Sequence, residues 1–301
     1  MRKGYFFVFL TAMISGVSIF INRFAVTFVN PYVFTGLKNL AVGIFLFGLI
    51  LLLKKQELFG GLSKRKWFGL IIIGIFGGGL PFLLFFKGLA ITSASQAAFI
   101  HKTLFVFAAI LAVVFLKEKP EKKFLFGGLL LLLGSLFLLK RLPYSPNQGD
   151  LLVFFAALLW AAESVFSKNL LKTISPLVVS WSRMFFGAIF IAVFLAITGQ
   201  LSLAAKITLP QIFWVGITSV FLLGYVLSWH FGLKEIPVHQ ATAILLFGSP
   251  LTTALNLIFS GKTNFNEIIS GALIIGGIFG VIGLKKLAQL IKKEKPIYVR
   301  P

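Results

Sequence analysis

The chain has 301 residues, of which 58% are hydrophobic and 12% are charged, and its mean hydropathy is +0.98. Soluble domains carry about 25% charged residues, and a core of this size cannot bury so much apolar surface, so lipid must cover part of the chain. The formal charge of +21 does not indicate a nucleic-acid binder, because the basic residues lie in short clusters between long apolar runs. The absence of cysteine excludes disulfides and thiolate metal sites.

Ten apolar segments are long enough, at roughly 20 residues each, to cross a membrane as helices. The first follows Arg2 and Lys3, as in a signal peptide, but no small-residue cleavage site stands out after it, so we expect an uncleaved helix. The sequence therefore predicts an all-α integral membrane protein with ten transmembrane helices and short connections. The predicted helices span residues 4–23, 32–53, 67–87, 94–116, 122–140, 149–168, 177–198, 211–233, 240–260 and 266–286.

The distribution of Lys and Arg among the loops predicts the orientation of these helices. With the N-terminus in the cytoplasm, the cytoplasmic segments hold 20 of these residues and the outer segments hold 6. This bias predicts a multi-pass protein of the cell membrane with both termini in the cytoplasm. The remaining three cations, Lys38, Lys102 and Arg183, fall inside predicted helices.

An internal repeat relates the two halves of the chain. A shift of 145 positions aligns Pro31 with Pro176, and a shift of 144 aligns Gly127 with Gly271. Because five helices is an odd number, the second copy enters the membrane from the opposite face, and its loops have lost the basic residues of their counterparts. Inverted repeats of this kind are typical of secondary transporters, which bind substrate between the copies. The predicted domains are a first five-helix repeat, a second, inverted five-helix repeat and a basic cytoplasmic tail, at residues 1–141, 149–288 and 289–301.

Several short motifs are informative when taken together. They are Trp160-Ala161, Phe166 and Lys168 in the sixth predicted helix, Pro176 and Arg183 in the seventh, Ser249-Pro250 in the ninth, and Lys117-Glu118-Lys119 with Gly127-Gly128 after the fourth. Through these motifs the chain resembles the drug/metabolite transporter superfamily, in particular its EamA-like members with ten helices, over nearly its full length. Two positions depart from that pattern, since Lys262 replaces a Glu and Val106 replaces a Pro. The resemblance implies export of amino acids or other small metabolites, by coupling to an ion gradient or by exchange.

Ionisable side chains inside spans are functional candidates, because placing them in lipid costs several kcal/mol. Glu163 is the only carboxylate in the interior of a predicted span, and Arg183 lies at a matching depth from the same face, so an ion pair is feasible. Such a pair is either a structural bridge between helices or a site for substrate or a proton. Lys38 is the repeat mate of Arg183, but Ser18 stands where a mate of Glu163 is needed.

Four further residues have two readings each. Lys102 and His101 enter the fourth predicted helix from the same outer half as Lys38. The lysines either snorkel to the outer headgroups or form an electropositive vestibule for a carboxylate or phosphate. His230, near the end of the eighth helix, either titrates near neutral pH or lies at the membrane interface. Trp160 either lines a cavity or belongs to an interfacial aromatic belt.

Three other features bear on architecture and cofactors. Gly77-Gly78-Gly79 with Pro81 weakens the third predicted helix, which suits either a gate or close helix packing. The fifth and tenth predicted helices are nearly devoid of polar side chains, so we expect them at the periphery, where a homodimer contact is possible. Gly261-Lys262-Thr263 resembles the end of a phosphate-binding loop, but Asn256 stands where that loop needs a glycine. No cofactor is therefore predicted.

These observations predict a secondary active transporter, an exporter or exchanger of a small anionic or zwitterionic metabolite such as an amino acid, and not an enzyme. Its expected partners are the solute, the lipid bilayer and a coupling ion such as a proton. The candidate substrate-binding residues are Glu163, Arg183, Lys38, Lys102, His101, Trp160 and His230. One alternative is an integral membrane enzyme acting on lipid, which requires clustered His or carboxylates at one interface. The other is a receptor or scaffold, which requires an extramembrane module for signalling.

Overall fold

The chain folds into a bundle of α-helices, and no strand occurs among the residues described. A computed structural model describes residues 2–25, 29–139, 147–261 and 264–283. The helices are α1 (Arg2–Ala25), α2 (Pro31–Leu52), α3 (Lys64–Ile73), α4 (Leu80–Leu89), α5 (Ala94–Lys102), α6 (Leu104–Leu116), α7 (Lys122–Leu136), α8 (Gln148–Leu170), α9 (Pro176–Ile197), α10 (Ser202–Ala205), α11 (Leu209–Glu235), α12 (Val238–Leu245), α13 (Gly248–Ser260) and α14 (Phe265–Ile282).

Several of these helices begin where the sequence supplies a capping side chain. The Asn30 side chain accepts hydrogen bonds from the first backbone N–H groups of α2, and Pro31 starts that helix without an N–H of its own. At the start of α8, Asn147 and Asp150 form a capping box, each side chain accepting from the other residue's backbone N–H. These caps fix the starting points of α2 and α8, the helices that carry Lys38 and Glu163.

Nine segments of the described chain are long and apolar enough to cross a membrane, so the chain is a multi-pass membrane protein. The described residues thus contain one fewer full-length span than the ten helices predicted. The fifth predicted helix, 122–140, is realised as α7, which ends at Leu136 after 15 residues, or about 22 Å at 1.5 Å per residue. A hydrocarbon core is about 30 Å thick, so this helix falls short of a full crossing. The nine spans are Arg2–Asn22, Pro31–Leu52, Lys64–Leu89, Gln96–Leu116, Gln148–Leu170, Pro176–Ile197, Leu209–Glu235, Val238–Ser260 and Phe265–Ile282.

The repeat register is visible in the helix breaks. The fourth span is interrupted at Thr103, between α5 and α6, and the eighth is interrupted just before α13, at Phe247. These two positions are 144 residues apart, which is the shift seen in the sequence. The residues after α6 and α13, Lys117 and Gly261, are also 144 apart, and both adopt the left-handed conformation, with φ of 58° and 62°.

Helix packing follows the same symmetry. α1 packs against α11, and its counterpart α8 packs against α4. The pairs α2 with α9 and α7 with α14 each join one helix to its own repeat mate. Exchanging the two repeats therefore maps these pairs onto each other, whereas the contact of α6 with α12 has no counterpart of similar extent between α13 and α5 among the described residues.

The pair α7 and α14 lies at one edge of the bundle, with large apolar side chains such as Phe126 exposed on its outer surface. Their backbones meet at Gly127, where an added Cβ would lie 2.6 Å from the carbonyl oxygen of Gly277. This peripheral position agrees with the prediction, although the two helices contact each other. The expected homodimer contact stays a prediction.

One end of the bundle is closed and the other is open. We call the end where α1 begins the N-terminal face. The broken helices pack together there through α6 and α12, whereas α5 and α13, their other halves, make at most marginal contact among the described residues. The largest buried apolar cluster lies in this N-terminal half and includes Val165, Leu233 and Ile278. At the opposite face the described core is divided into separate clusters around Phe34, Ile191 and Val153.

Candidate functional site

Glu163 lies on α8 in the interior of the bundle, where only 3% of its surface is exposed. The Ser167 hydroxyl, one turn further along the helix, donates a hydrogen bond of 2.5 Å to its Oε1 atom. Arg183 on α9 lies with Nη1 3.8 Å from Oε2. This is the pairing expected from their matched depths. The buried carboxylate therefore faces one hydroxyl donor and one fixed cation.

His230 on α11 completes the surroundings of this carboxylate. Its side chain is fully buried, so the interfacial position considered from the sequence is wrong. Nε2 lies 3.9 Å from Oε1 of Glu163 and has no hydrogen-bond partner among the described residues. Nδ1 lies 2.9 Å from Oγ of Ser180, which can donate, and 3.0 Å from the carbonyl oxygen of Val226, which can only accept. Either tautomer is therefore satisfied at Nδ1, and Nε2 is free to hold or release a proton toward Glu163.

The glycine run in the third span supplies backbone acceptors to this site. Residues Gly74–Gly79 form a π-helical segment between α3 and α4, the kind of local unwinding often found at functional sites. The carbonyl oxygen of Gly77 accepts from Nε1 of Trp160 at 3.1 Å and from Nη2 of Arg183 at 3.4 Å. The carbonyl oxygen of Gly78 accepts from Nδ2 of Asn39 at 2.7 Å. Hydrogen bonds thus connect the π-helical segment to α2, α8 and α9.

The same glycines are needed for close approach. A Cβ on Gly77 would lie 2.8 Å from Cγ of Glu163, and a Cβ on Gly78 would overlap the carbonyl oxygen of Arg183. Gly187 on α9 faces Gly78 backbone to backbone. Both readings of the run apply, since the helix is locally unwound and closely packed.

Lys38 lies apart from this group, on α2 in the half of the bundle that opens at the opposite face. Its Nζ atom lies 3.2 Å from Oδ1 of Asn22 and 4.7 Å from the centre of the Phe34 ring. Asn22 is oriented in turn by hydrogen bonds to the Oγ and carbonyl oxygen of Ser18. Asn22 was not among the predicted residues, because a single amide in a span carries no recognisable motif. The site of Lys38 is half-buried and has no carboxylate in the described structure.

His101 and Lys102 end α5, immediately before the break in the fourth span. The imidazole of His101 lies edge-on to the rings of Trp160 and Phe85, at centroid distances of 5.2 and 5.5 Å. Trp160 is thus buried in the interior and does not belong to an interfacial belt. It contacts the His101 ring on one side and donates a hydrogen bond to the Gly77 carbonyl oxygen. Lys102 is half-buried, and no ion pair or hydrogen bond of its side chain occurs among the described residues. No described contact joins Lys102 to Lys38.

A cavity of about 540 Å³ lies between the third, fourth and fifth spans, on the N-terminal side of the bundle. Its walls are apolar, with two polar residues, the buried Glu163 and Asn169, which is exposed at the end of α8. The apolar lining residues are Ile72, Ile73, Phe76, Leu111, Phe115, Leu116, Leu159, Ala162, Val165 and Phe166. Glu163 therefore lines a cavity on the N-terminal side, whereas Lys38 lies in the other half of the bundle.

The sequence profile of the EamA-like transporter family matches the chain twice, at residues 2–140 and 147–283. The chain belongs to the EamA-like transporter family. Membership of this family accounts for both the twofold packing and the breaks that recur 144 residues apart.

Other EamA-like proteins extend the likeness along most of the chain. An uncharacterized transporter of Archaeoglobus fulgidus is 24% identical over 287 residues, which cover 93% of this chain and 99% of that protein. The uncharacterized transporter YyaM of Bacillus subtilis is 29% identical over 234 residues, covering 74% and 75%. The riboflavin transporter ImpX of Fusobacterium nucleatum is 26% identical over 240 residues, covering 76% and 79%.

A known crystal structure shares the fold. It superposes with a TM-score of 0.74 at 18% sequence identity and covers 96% of this chain and 99% of that chain. The family and these relatives establish a transporter, and the cargo is a separate question.

Proposed function

We propose that this chain is a secondary transporter of the cell membrane that exports or exchanges a small anionic or zwitterionic solute, such as an amino acid, by alternating access between its two inverted repeats. The observation that carries this proposal is the one-sided opening between the repeats. Their broken helices are packed at the N-terminal face through α6 and α12 and separated at the other through α5 and α13. A carrier caught in one of its two access states has this shape.

The sign of the cargo is inferred from the unpaired lysines. Lys38 and Lys102 are half-buried in spans and lack a carboxylate partner among the described residues, whereas Arg183 has Glu163. A charge removed from water is unfavourable unless it is neutralised. A solute carboxylate or phosphate provides this neutralisation, and Asn22 beside Lys38 offers a second polar contact.

The coupling ion is inferred from the group around Glu163. A buried carboxylate, a histidine satisfied as either tautomer and a fixed arginine suit proton uptake and release. The cavity lined by Glu163 and Asn169 supports a proton route to the N-terminal face. The positive-inside bias supports a cytoplasmic position for that face, and so an outward position for the half of the bundle that holds Lys38.

A planar aromatic solute is a second candidate cargo. His101, Phe85 and Trp160 form a cluster of rings next to Lys102, which suits stacking against a flat solute. A relative is named a riboflavin transporter, and riboflavin contains a fused ring system.

The test is transport by purified protein in liposomes, with cargo first selected by metabolite profiling of cells with and without the chain. We expect Lys38→Gln to reduce uptake of the selected solute strongly. Lys87→Gln is the matched control, because Lys87 is an exposed lysine at the end of α4. Full transport by both Lys38→Gln and Lys102→Gln would contradict the role of the lysines. Profiles that are identical with and without the chain would contradict secondary transport itself.

A further inference from the structure

A carboxylate of the first repeat caps a helix of the second at the N-terminal face. Glu118 follows α6 directly, and its Oε1 atom accepts the backbone N–H of Val238 at 2.8 Å. Its Oε2 atom accepts the backbone N–H of His239 at 3.3 Å and lies 2.5 Å from Nδ1 of the same residue. All three contacts are to the first turn of α12. A negative charge at this place satisfies free N–H groups and complements the positive end of the helix dipole.

The backbone before Glu118 is shaped to make this contact. Lys117 adopts the left-handed conformation, with φ of 58°, which costs about 1 kcal/mol or more for a residue with a side chain. The mirror position, Gly261, has nearly the same φ of 62° at no such cost. The strained turn directs Glu118 across the boundary between the repeats.

A cation holds the adjacent helix end. Nζ of Lys168, at the end of α8, donates to the carbonyl oxygens of Leu233, Lys234 and Ile236 at 2.7, 2.9 and 2.9 Å. These carbonyls belong to the last turn of α11 and the residue after it. A positive charge here complements the negative end of the α11 dipole. The short turn between α11 and α12 is therefore contacted at both ends, by Lys168 at the end of α11 and by Glu118 at the start of α12.

The opposite face lacks the equivalent of Glu118. A shift of 144 places Lys262 at the mirror position, a residue that lies outside those described. An ammonium group donates hydrogen bonds and cannot accept one from a backbone N–H, so a lysine cannot replace a carboxylate as a helix cap. The sequence thus provides a carboxylate cap on one face and none at the mirror position on the other.

We infer that Glu118 and Lys168 form a gate that holds the N-terminal face shut, and that the missing mirror carboxylate leaves the opposite face open in the resting transporter. This rests on the proposed function only in naming the two faces as alternative access states. Opening the N-terminal face requires the contacts of Glu118 to break, because α6 and α12 cannot separate while they hold.

The chain has no cysteine, so a single introduced thiol reports on opening. Ala241→Cys places one on α12, one turn from the cap, at a residue that is fully buried. In lipid nanodiscs at neutral pH, we expect Glu118→Gln to increase the rate of maleimide labelling by about tenfold or more, from the loss of hydrogen bonds to a charged group. Lys168→Gln should act in the same direction. A second reporter, Ser18→Cys in the half that opens at the other face, should be labelled more slowly in the same variants.

The controls are exposed residues of the same segments. Glu121→Gln removes a carboxylate three residues from Glu118, and the described ion pair of Glu121 is with Lys123 on the same segment. Lys172→Gln removes an exposed lysine near Lys168. If Glu118→Gln fails to fold, Glu118→Asp keeps the charge but shortens its reach, and it should label at an intermediate rate. Labelling of the Glu118 variant at the control rate would overturn the gate. Because no solute is needed, a chain that transports nothing but shows the tenfold change would refute the transport proposal alone.

Discussion

Nε2 of His230 lies 3.9 Å from Oε1 of Glu163, although the two residues come from α11 and α8, which are separated along the chain by α9 and α10. Both side chains are nearly excluded from solvent, since His230 is fully buried and Glu163 is 3% exposed. Their contact with water is therefore limited to the cavity that Glu163 lines on the N-terminal side.

The first prediction concerns the Glu163–Arg183 ion pair. Glu163→Gln and Arg183→Gln should each lower the free energy of unfolding by roughly 3–5 kcal/mol, because each leaves a buried charge unpaired. The double variant should recover part of the loss, by about 0.5–3 kcal/mol. Thermal unfolding in detergent measures both effects. Strictly additive losses would show that the two charges do not interact.

The second prediction concerns the histidine. His230→Gln should fold normally, because its amide can still contact Ser180 and Val226, but it cannot exchange a proton with Glu163. We expect proton uptake into liposomes, followed with a pH-sensitive dye, to be lost while exchange of solute for solute continues. Proton uptake at the unmodified rate would remove His230 from the proposed coupling route.

The third prediction concerns the backbone crossing at the π-helical segment. Gly78→Ala and Gly187→Ala should each destabilise the fold by about 1–3 kcal/mol, because the added methyl groups meet backbone atoms of the facing helix. Gly48→Ala and Gly216→Ala are matched helical controls with no atom within 4 Å of the added Cβ. These controls should be neutral or stabilising by up to about 1 kcal/mol. Melting temperatures that fail to separate the two sets would argue against the close crossing.

The fourth prediction concerns pH and the gate. Burial raises the pKa of the Glu118 carboxyl, but hydrogen bonds from His239 and from the backbone N–H groups of Val238 and His239 outweigh it, and the pKa lies below its usual range. A group of this kind stabilises the fold above its unfolded pKa, and the stabilisation is lost as pH falls through the folded pKa.

The melting temperature of the unmodified chain should therefore exceed that of Glu118→Gln by a constant amount at neutral and mildly acidic pH. The difference should close below about pH 4.5, the ordinary carboxyl value. Glu121→Gln, which removes an exposed carboxylate, should show little difference at any pH. A gap for Glu118→Gln that persists into strong acid would contradict the role of the ionised carboxylate.

The fifth prediction tests the orientation. A cysteine introduced at Arg65 should react with an impermeant reagent only from the cytoplasm, and one at Asn147 only from outside, because 20 Lys and Arg residues lie on the predicted cytoplasmic side. Labelling in the reverse pattern would invert the faces named in the proposed function. It would not affect the gate contacts, which are independent of orientation.

The sequence was sufficient for features that depend on position along a helix. Counting residues gives depth in the membrane, so Glu163 and Arg183 could be matched in height before any coordinates were known. The repeat could be found because landmarks such as Pro31 and Pro176 keep a constant spacing. The length of α7 was overestimated, because an apolar stretch shows where a helix is possible and not where its last hydrogen bond forms.

Rotation about the helix axis and the choice of neighbours could not be predicted. In this chain many spans are apolar on all sides, so no polar stripe shows which face is inward. The sequence therefore leaves an interfacial position open for His230, whereas in the structure it faces Glu163 from another helix. Asn22 was missed for the same reason. Which face is closed depends on contacts between distant segments, such as Glu118 with Val238, that no local pattern encodes.

The seam between α7 and α14 has a further consequence for how the molecule can move. At Gly127 and Gly277 no side chains separate the two backbones, so neither helix can slide past the other without steric collision. The seam joins the last helix of one repeat to the last helix of the other, and neither of them packs extensively against α2, which carries Lys38. We therefore expect a rearrangement of the repeats to leave this edge nearly fixed and to rotate the remaining helices about it.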